Sequence, residues 1–318
     1  MRPPRQRALT LVLIAAMLGA AALAYWLLLA RGPAGVASAP PPAAVAPAAE
    51  PAARLEVSRA DGGATLLRGG AAREPLRAGA ALRPDDVIET AEGASVVLAA
   101  GESYRVVLDG AARFAVKEIA AEVSRFRVDD GLVTATVRDD PRRAFVVEAG
   151  GAVARTRGGA LGVANVGGRV TVGVTAGETD LESGGRIVTL RQGQASSAEP
   201  GQAPSAPVAL PRSLLLKVDW PEARETNRRK LVVQGQATPG AVLTIGGQRV
   251  RVGPDGRFSQ TIWLREGAQA LDAVARDVAG RRERSRGPTV VLDTRAPDPQ
   301  FDTNALWKGA EERSRDSR

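Results

Sequence analysis

Hydrophobic and polar positions follow two different patterns along this chain. From Ala8 to Ala30 there are 23 residues without a charge. As a helix rising about 1.5 Å per residue, that run reaches roughly 34 Å, enough for a hydrocarbon core of about 30 Å. Beyond it the apolar positions alternate. Tyr104, Val106 and Leu108, then Val133, Ala135 and Val137, then Val170, Val172 and Val174 each sit two apart, in short runs broken by Gly and Asp. That period puts alternate side chains on one face of a strand and predicts half-buried β-strands. Ala115 to Val123 is ambiguous, though too short for a substantial helix. Further on, Gly246-Gly247 separates Leu243-Thr244-Ile245 from Gln248-Arg249-Val250, the spacing of a two-residue hairpin whose loop needs positive φ. Pro254-Asp255-Gly256 supplies another turn before Phe258, Ile262 and Leu264, and Leu271, Ala273 and Ala275 resume the alternation. The expected fold class is all-β behind a single N-terminal transmembrane helix.

Two Ala/Pro-rich tracts, 31–53 and 195–212, lack apolar periodicity and divide the chain. The first, in a polyproline-like form at about 3.1 Å per residue, would hold a domain up to about 70 Å from a bilayer. The organisation expected is a cytoplasmic tail (1–7), an anchor (8–30), a spacer (31–53), a first β domain (54–194), a linker (195–212), a β-sandwich of roughly seven strands (213–294) and a disordered tail (295–318). Arg2, Arg5 and Arg7 precede the apolar run and only Arg31 follows closely, which orients a single-pass inner-membrane protein with its bulk outside the cytoplasm, in the periplasm. Tyr25 and Trp26 suit the outer interface. A rival reading takes Ala37-Ser38-Ala39 as the cleavage site of a signal peptide, against which the run exceeds the usual h-region of about 7 to 15 residues. Ala16, Ala20 and Ala24 have a spacing that permits close helix approach, so a homodimer is a further expectation.

Composition narrows the chemistry. The chain has no Cys and no His, which removes disulfides, thiolate nucleophiles, imidazole bases, the common zinc sets and lipidation of a cysteine beside the anchor. Aromatics are 3% of residues, so the core must come from Val, Leu, Ile and Ala. The net charge of +8 includes the runs Arg224 to Lys230 and Arg281 to Arg286, taken as solvated loops and as speculative anion contacts. No aromatics interleave these basic runs, so nucleic acid is not an expected partner.

No catalytic, cofactor-binding or metal-binding residues are assigned. The acid pairs Asp85-Asp86, Asp129-Asp130 and Asp139-Asp140 lie beside Gly or Pro and are read as turn residues, because neighbours on a strand point to opposite faces and cannot converge on a glycosidic bond. Asp255 and Asp277 lack the alternating oxygen ligands of a calcium loop. Gly158-Gly159-Ala160-Leu161-Gly162 lacks the Lys-Ser/Thr ending of a phosphate loop and is read as a strand bulge or hairpin. Lys117 and Lys217 are read as solvated strand residues.

The segments Leu82-Arg83-Pro84-Asp85-Asp86-Val87-Ile88-Glu89-Thr90, Gly93 to Leu98, Gly101 to Val106, Gly131-Leu132-Val133, Phe145-Val146-Val147, Ala152 to Thr156, Val170 to Gly177 and Leu190 to Gln194 follow one another in an order that resembles the FecR domain family. Pro84 stands where that family commonly has Gly, and Gly158-Gly159 lies near its Gly-Thr pair. The resemblance implies an external β domain. Family members that control sigma factors carry a folded cytoplasmic domain, whereas the expected tail here is about seven residues. Val233 to Ala241, Asp255-Gly256-Arg257-Phe258, Gly267 to Ala275, Asp277 and Ala279-Gly280 resemble a bacterial immunoglobulin-like module, with Gln269 replacing a frequent Asn. The expected function is a non-catalytic, membrane-anchored envelope protein for sensing, scaffolding or binding an envelope polymer or envelope protein. The alternative is a FecR-type transmembrane signalling regulator acting through a membrane partner.

Overall fold

The computed structural model describes residues 54–69, 72–222 and 224–294, together with Trp26. The expected anchor (8–30, apart from Trp26), spacer (31–53) and tail (295–318) lie outside the described residues. Among the described residues no helix is long and apolar enough to cross a membrane. From Arg54 to Thr294 every regular element is a strand.

Fifteen strands from Glu56–Asp61 to Val208–Ala209 join in one hydrogen-bonded network. Two of them, Val123–Val137 and Arg169–Ser183, are 15 residues long and change partners halfway. The first half of Val123–Val137 pairs with Ala112–Ile119 and, in parallel, with Ala144–Ala149. Its second half pairs with Tyr104–Asp109 and Gly159–Val166. Likewise Val170 to Val174 pair with Gln194–Ala198, while Glu178 to Ser183 pair with Arg186–Arg191. Each long strand thus belongs to both layers around one core, and the network folds on itself instead of remaining a flat sheet. The period-two residues of the sequence line that core: Val106, Leu108, Val172 and Val174 are all buried.

At the centre, Phe126 packs against Phe114, Phe145 and Tyr104 with ring centroids 5.2, 5.3 and 5.7 Å away. Four of the chain's few aromatics therefore meet in one place, where each ring covers more apolar area than an aliphatic side chain can. The ambiguous stretch from Ala115 resolves as the strand Ala112–Ile119, followed by the start of Val123–Val137.

Residues 214–294 form a three-stranded sheet (Leu216–Asp219, Lys230–Ala237, Arg257–Trp263) and a five-stranded one (Glu225–Thr226, Arg282–Leu292, Gly267–Arg276, Val242–Ile245, Gln248–Val250). Val233, Phe258 and Ile262 of the first share a core with Leu243, Ile245, Ala273 and Val290 of the second. Gly246 and Gly247 have φ of +56° and +76°, and Ile245 pairs with Gln248, so this hairpin forms where the sequence placed it.

The tract 195–212 differs from a free linker. Gln194–Ala198 and Val208–Ala209 extend the large network, Leu210 N–H donates to Gly193 O at 2.8 Å, and Arg281 Nη1 donates to Pro211 O at 2.6 Å. Its Ser residues supply the reason: Ser196 and Ser205 hydrogen-bond each other's segment and fold the tract back on the sheet. Everything described from Arg54 onward belongs to one compact unit.

Candidate functional site

Strands exposed on one face alternate in burial, but two strands of the five-stranded sheet do not. Val242–Ile245 is buried at every position, and so are Ala273 to Arg276. On the large network, Leu161 to Asn165 behave the same way. Continuous burial means both faces are covered, and here the second cover is the other body. Leu132 and Ala164 of the large network pack against Val242 and Val278, with Val166 and Leu210 at the edge. Glycines make the close approach possible: a Cβ on Gly162 would collide with the Val278 carbonyl oxygen, and one on Gly173 with the Val278 side chain.

Around this apolar contact the charges are complementary. The large network contributes Glu92 from the turn after Val87–Thr90, Asp109 from the end of Tyr104–Asp109, and Asp130 from the bulge where Arg113 pairs with Asp130 but Phe114 with Val128. The five-stranded sheet contributes Arg249 and Arg276. Arg249 Nη1 donates to Asp130 Oδ1 at 2.9 Å and Nη2 to Ala111 O at 2.6 Å. Arg276, whose side chain is 2% exposed, donates from Nη1 to Glu92 Oε1 at 3.2 Å, and its Nε lies 3.3 Å from Asp109 Oδ2. Thr244 Oγ1 donates to the same Glu92 oxygen at 3.1 Å. Burial pushes the Asp130 carboxyl above its ordinary range, and Arg249 and the Gly131 N–H only partly offset that.

The residues singled out from sequence are placed as follows. Asp85 takes a left-handed φ of +70° in a turn, and buried Asp86 accepts from Arg83 N–H at 3.0 Å and Arg68 Nε at 3.2 Å. Asp140 accepts from Arg142 N–H in a turn. Asp129-Asp130 sit on a strand bulge and not in a turn, because the register shift accommodates both. Gly159–Val166 is a strand with its own bulge after Ala160. Asp255 accepts from Arg257 N–H, and Asp277 accepts from Ala279 N–H and from Arg281 N–H and Nε. Lys117 is half-buried beside Asp85, and Lys217 is exposed. The run Arg281 to Arg286 is not the solvated loop that its basic character predicts: Arg282–Leu292 is a strand, with Arg284 paired to Asp272 and Arg281 to Asp277. In the other basic run Arg229 pairs with Glu266, and Lys230 lies 4.8 Å from the ring centre of Trp263, itself 57% exposed.

Sequence reasoning missed Glu92, Asp109, Arg249 and Arg276 as a set. The available signal was the loss of alternation in Val242-Leu243-Thr244-Ile245 and Ala273-Val274-Ala275-Arg276, which marks strands covered on two faces. The acids and arginines of the seam engage each other, and among the described residues no three His, Cys, Asp or Glu side chains gather into a group suited to a metal ion. The arrangement is suited to holding two β bodies together.

Comparison with known proteins places this geometry in context. Residues 86–180 match the family model described as FecR protein, a span running from the turn before Val87–Thr90 into the long strand Arg169–Ser183. No curated protein matches the chain significantly. Among solved structures, two of a candidate anti-sigma factor from Parabacteroides distasonis ATCC 8503 are similar at 13% identity and a TM-score of 0.35, over 39% of this chain and 59% of theirs. The chain thus spans under two thirds of the length of those proteins. A polysaccharide lyase is similar at 12% identity and a TM-score of 0.20, over 75% of this chain and 40% of its own.

Proposed function

We propose that this chain is a non-catalytic, FecR-type signalling regulator, anchored by residues 8–30 and acting through a membrane partner. The observation that carries the reading is the FecR match over 86–180, the part of the chain that builds most of the large β network. The acids of the seam support a non-enzymatic role, since Glu92, Asp109 and Asp130 are each engaged by an arginine. On this reading residues 213–294 are an immunoglobulin-like module that the seam fuses to the FecR domain, so that both move as one receptor body outside the cytoplasm. The test is deletion of the gene followed by transcript profiling, together with crosslinking in intact cells. A regulator alters a restricted set of transcripts and captures a membrane protein; an unchanged profile with no such capture contradicts the proposal.

A second reading, binding of an envelope polymer, draws on the exposed outer face of the three-stranded sheet, where Trp263 and Val232 stand among Lys230 and Gln234. An exposed Trp263 ring offers an apolar face to a sugar ring, and the Gln234 amide offers donors and an acceptor to its hydroxyls. Co-sedimentation of the purified chain with envelope polymers at low salt, lost in Trp263→Ala, supports this reading, and its absence removes it.

A further inference from the structure

Arg257–Trp263 closes one side of the three-stranded sheet and pairs with Lys230–Ala237 alone. The two ends of that ladder fix which way each backbone group points. Ala237 N–H donates to Gly256 O at 2.8 Å and Leu264 N–H to Arg229 O at 2.9 Å. Bonding alternates between these ends, so Phe258, Gln260 and Ile262 aim their N–H and C=O groups at the neighbouring strand. Arg257, Ser259, Thr261 and Trp263 aim theirs off the edge. At both ends the chain itself caps them. Arg257 N–H donates to Asp255 Oδ1 and Arg257 O accepts from Gly253 N–H, while Trp263 O accepts from the Gln248 amide at 3.3 Å. In the middle the capping stops. Thr261 O has only the adjacent Gln260 amide, at 3.2 Å. Among the described residues the Thr261 N–H and both backbone groups of Ser259 make no hydrogen bond within the chain. No bulge, proline or lysine guards this edge.

We infer that Arg257–Trp263 is the docking edge for a second copy of this chain, which joins the two three-stranded sheets into one continuous sheet across a two-fold axis. Laid antiparallel against itself with Gln260 on the axis, the strand is self-complementary. Ser259 faces Thr261 of the copy and exchanges both missing backbone bonds with it, Phe258 faces Ile262, and Arg257 faces Trp263. The Arg257 guanidinium is held only loosely by Asp255, at 3.9 Å with both side chains mostly exposed, and can turn to the exposed indole of the copy. Lys230 lies 4.8 Å from the centre of that ring, which keeps the Arg257 contact modest and leaves the backbone ladder as the main tie. Other edges fail the same test. Self-pairing of Arg186–Arg191 sets Arg186 against Arg191 of the copy, and Ala72–Pro75 ends in a residue without an N–H. One strand pair covers little area, so the association is weak and rises with concentration. It rests neither on the regulatory reading nor on helix contacts at Ala16, Ala20 and Ala24.

The test is disulfide crosslinking of the purified full chain under mild oxidation, where no native cysteine interferes. Gln260→Cys puts two thiols on the axis in a non-hydrogen-bonded pair, with Cα atoms about 4.5 Å apart, inside the range of about 4.4 to 6.8 Å that a disulfide spans. Gln260 is half-buried and Ile187 is 64% exposed, so chance collisions favour Ile187→Cys. The docked edge reverses that order, and Gln260→Cys should give covalent dimer about tenfold faster than Ile187→Cys or better. Adding Thr261→Pro removes one outward N–H, spares the ladder to Lys230–Ala237, and should cut the rate by about tenfold. If Gln260→Cys fails to fold, an equimolar mixture of Ser259→Cys and Thr261→Cys chains should crosslink faster than either variant alone. Equal rates in that mixture overturn the inference, and so do equal rates for Gln260→Cys and Ile187→Cys or a dimer that survives Thr261→Pro.

Discussion

The carbonyl oxygen of Val278 fills the space that a side chain on Gly162 would occupy, although 116 residues separate the two. Gly162 lies within a strand and does not have positive φ, so alanine would suit its backbone. Gly162→Ala therefore strains the seam and spares the sheet that contains it. The expected loss is about 1–3 kcal/mol of stability, the usual scale of overpacking. Protease cleavage within 195–212 should accelerate in parallel, since that tract is pinned partly by Arg281. Cleavage at the parent rate contradicts the close contact.

Removing the two sides of the Arg276 cluster should have unequal effects. Glu92 and Asp109 are about a third exposed and can regain water when Arg276 is lost, so Arg276→Met is expected to cost about 1–3 kcal/mol. The double variant Glu92→Gln with Asp109→Asn leaves a guanidinium that is 2% exposed without a counter-charge, and should cost more, about 3–5 kcal/mol. Urea unfolding of both variants measures the order. A smaller loss in the double variant contradicts the account of the cluster.

The raised carboxyl of Asp130 gives a pH dependence of definite sign. Its folded state takes up a proton more readily than the unfolded state does, so the stability this group contributes is greatest when protonated and falls as pH rises through the interval above the ordinary 3.8. Asp130→Asn removes that dependence. The stability of the parent relative to Asp130→Asn should therefore decline as pH rises above the ordinary 3.8, measured by urea unfolding at each pH. A parent that gains on the variant over the same range would show that Arg249 dominates burial.

Phe126 touches three other rings and is fully buried, so Phe126→Ala should cost about 3–5 kcal/mol. Trp263→Ala should cost under about 1 kcal/mol, because the ring is mostly exposed and Lys230 is its charged neighbour. Thermal unfolding of the two variants separates a core aromatic from a surface one.

Period-two alternation was enough to find the strands around Val106, Val133 and Val172, and the paired glycines at 246 and 247 were enough to find their hairpin, because both signals are local. The candidate site was far less legible. Arg276 and Glu92 are 184 residues apart, and a charged residue that closes a strand reads as solvated unless a second body covers it. The same reasoning explains Arg281 to Arg286, whose basic character masks a strand held by Asp272 and Asp277. The serines that fold 195–212 onto the sheet are chemically indistinguishable, in sequence, from those of a free linker.

The close contact of Gly162 with Val278 and the apolar seam around it hold the large β network and the two smaller sheets as one rigid body. The absence of cysteine allows two to be introduced for spin labels, at Ile187 and Val232, which are 64% and 56% exposed on the two bodies. Pulsed electron–electron double resonance should give a single narrow distance distribution in the parent that broadens when Gly162→Ala is added. A broad distribution in the parent, unchanged by that substitution, would contradict the rigid body.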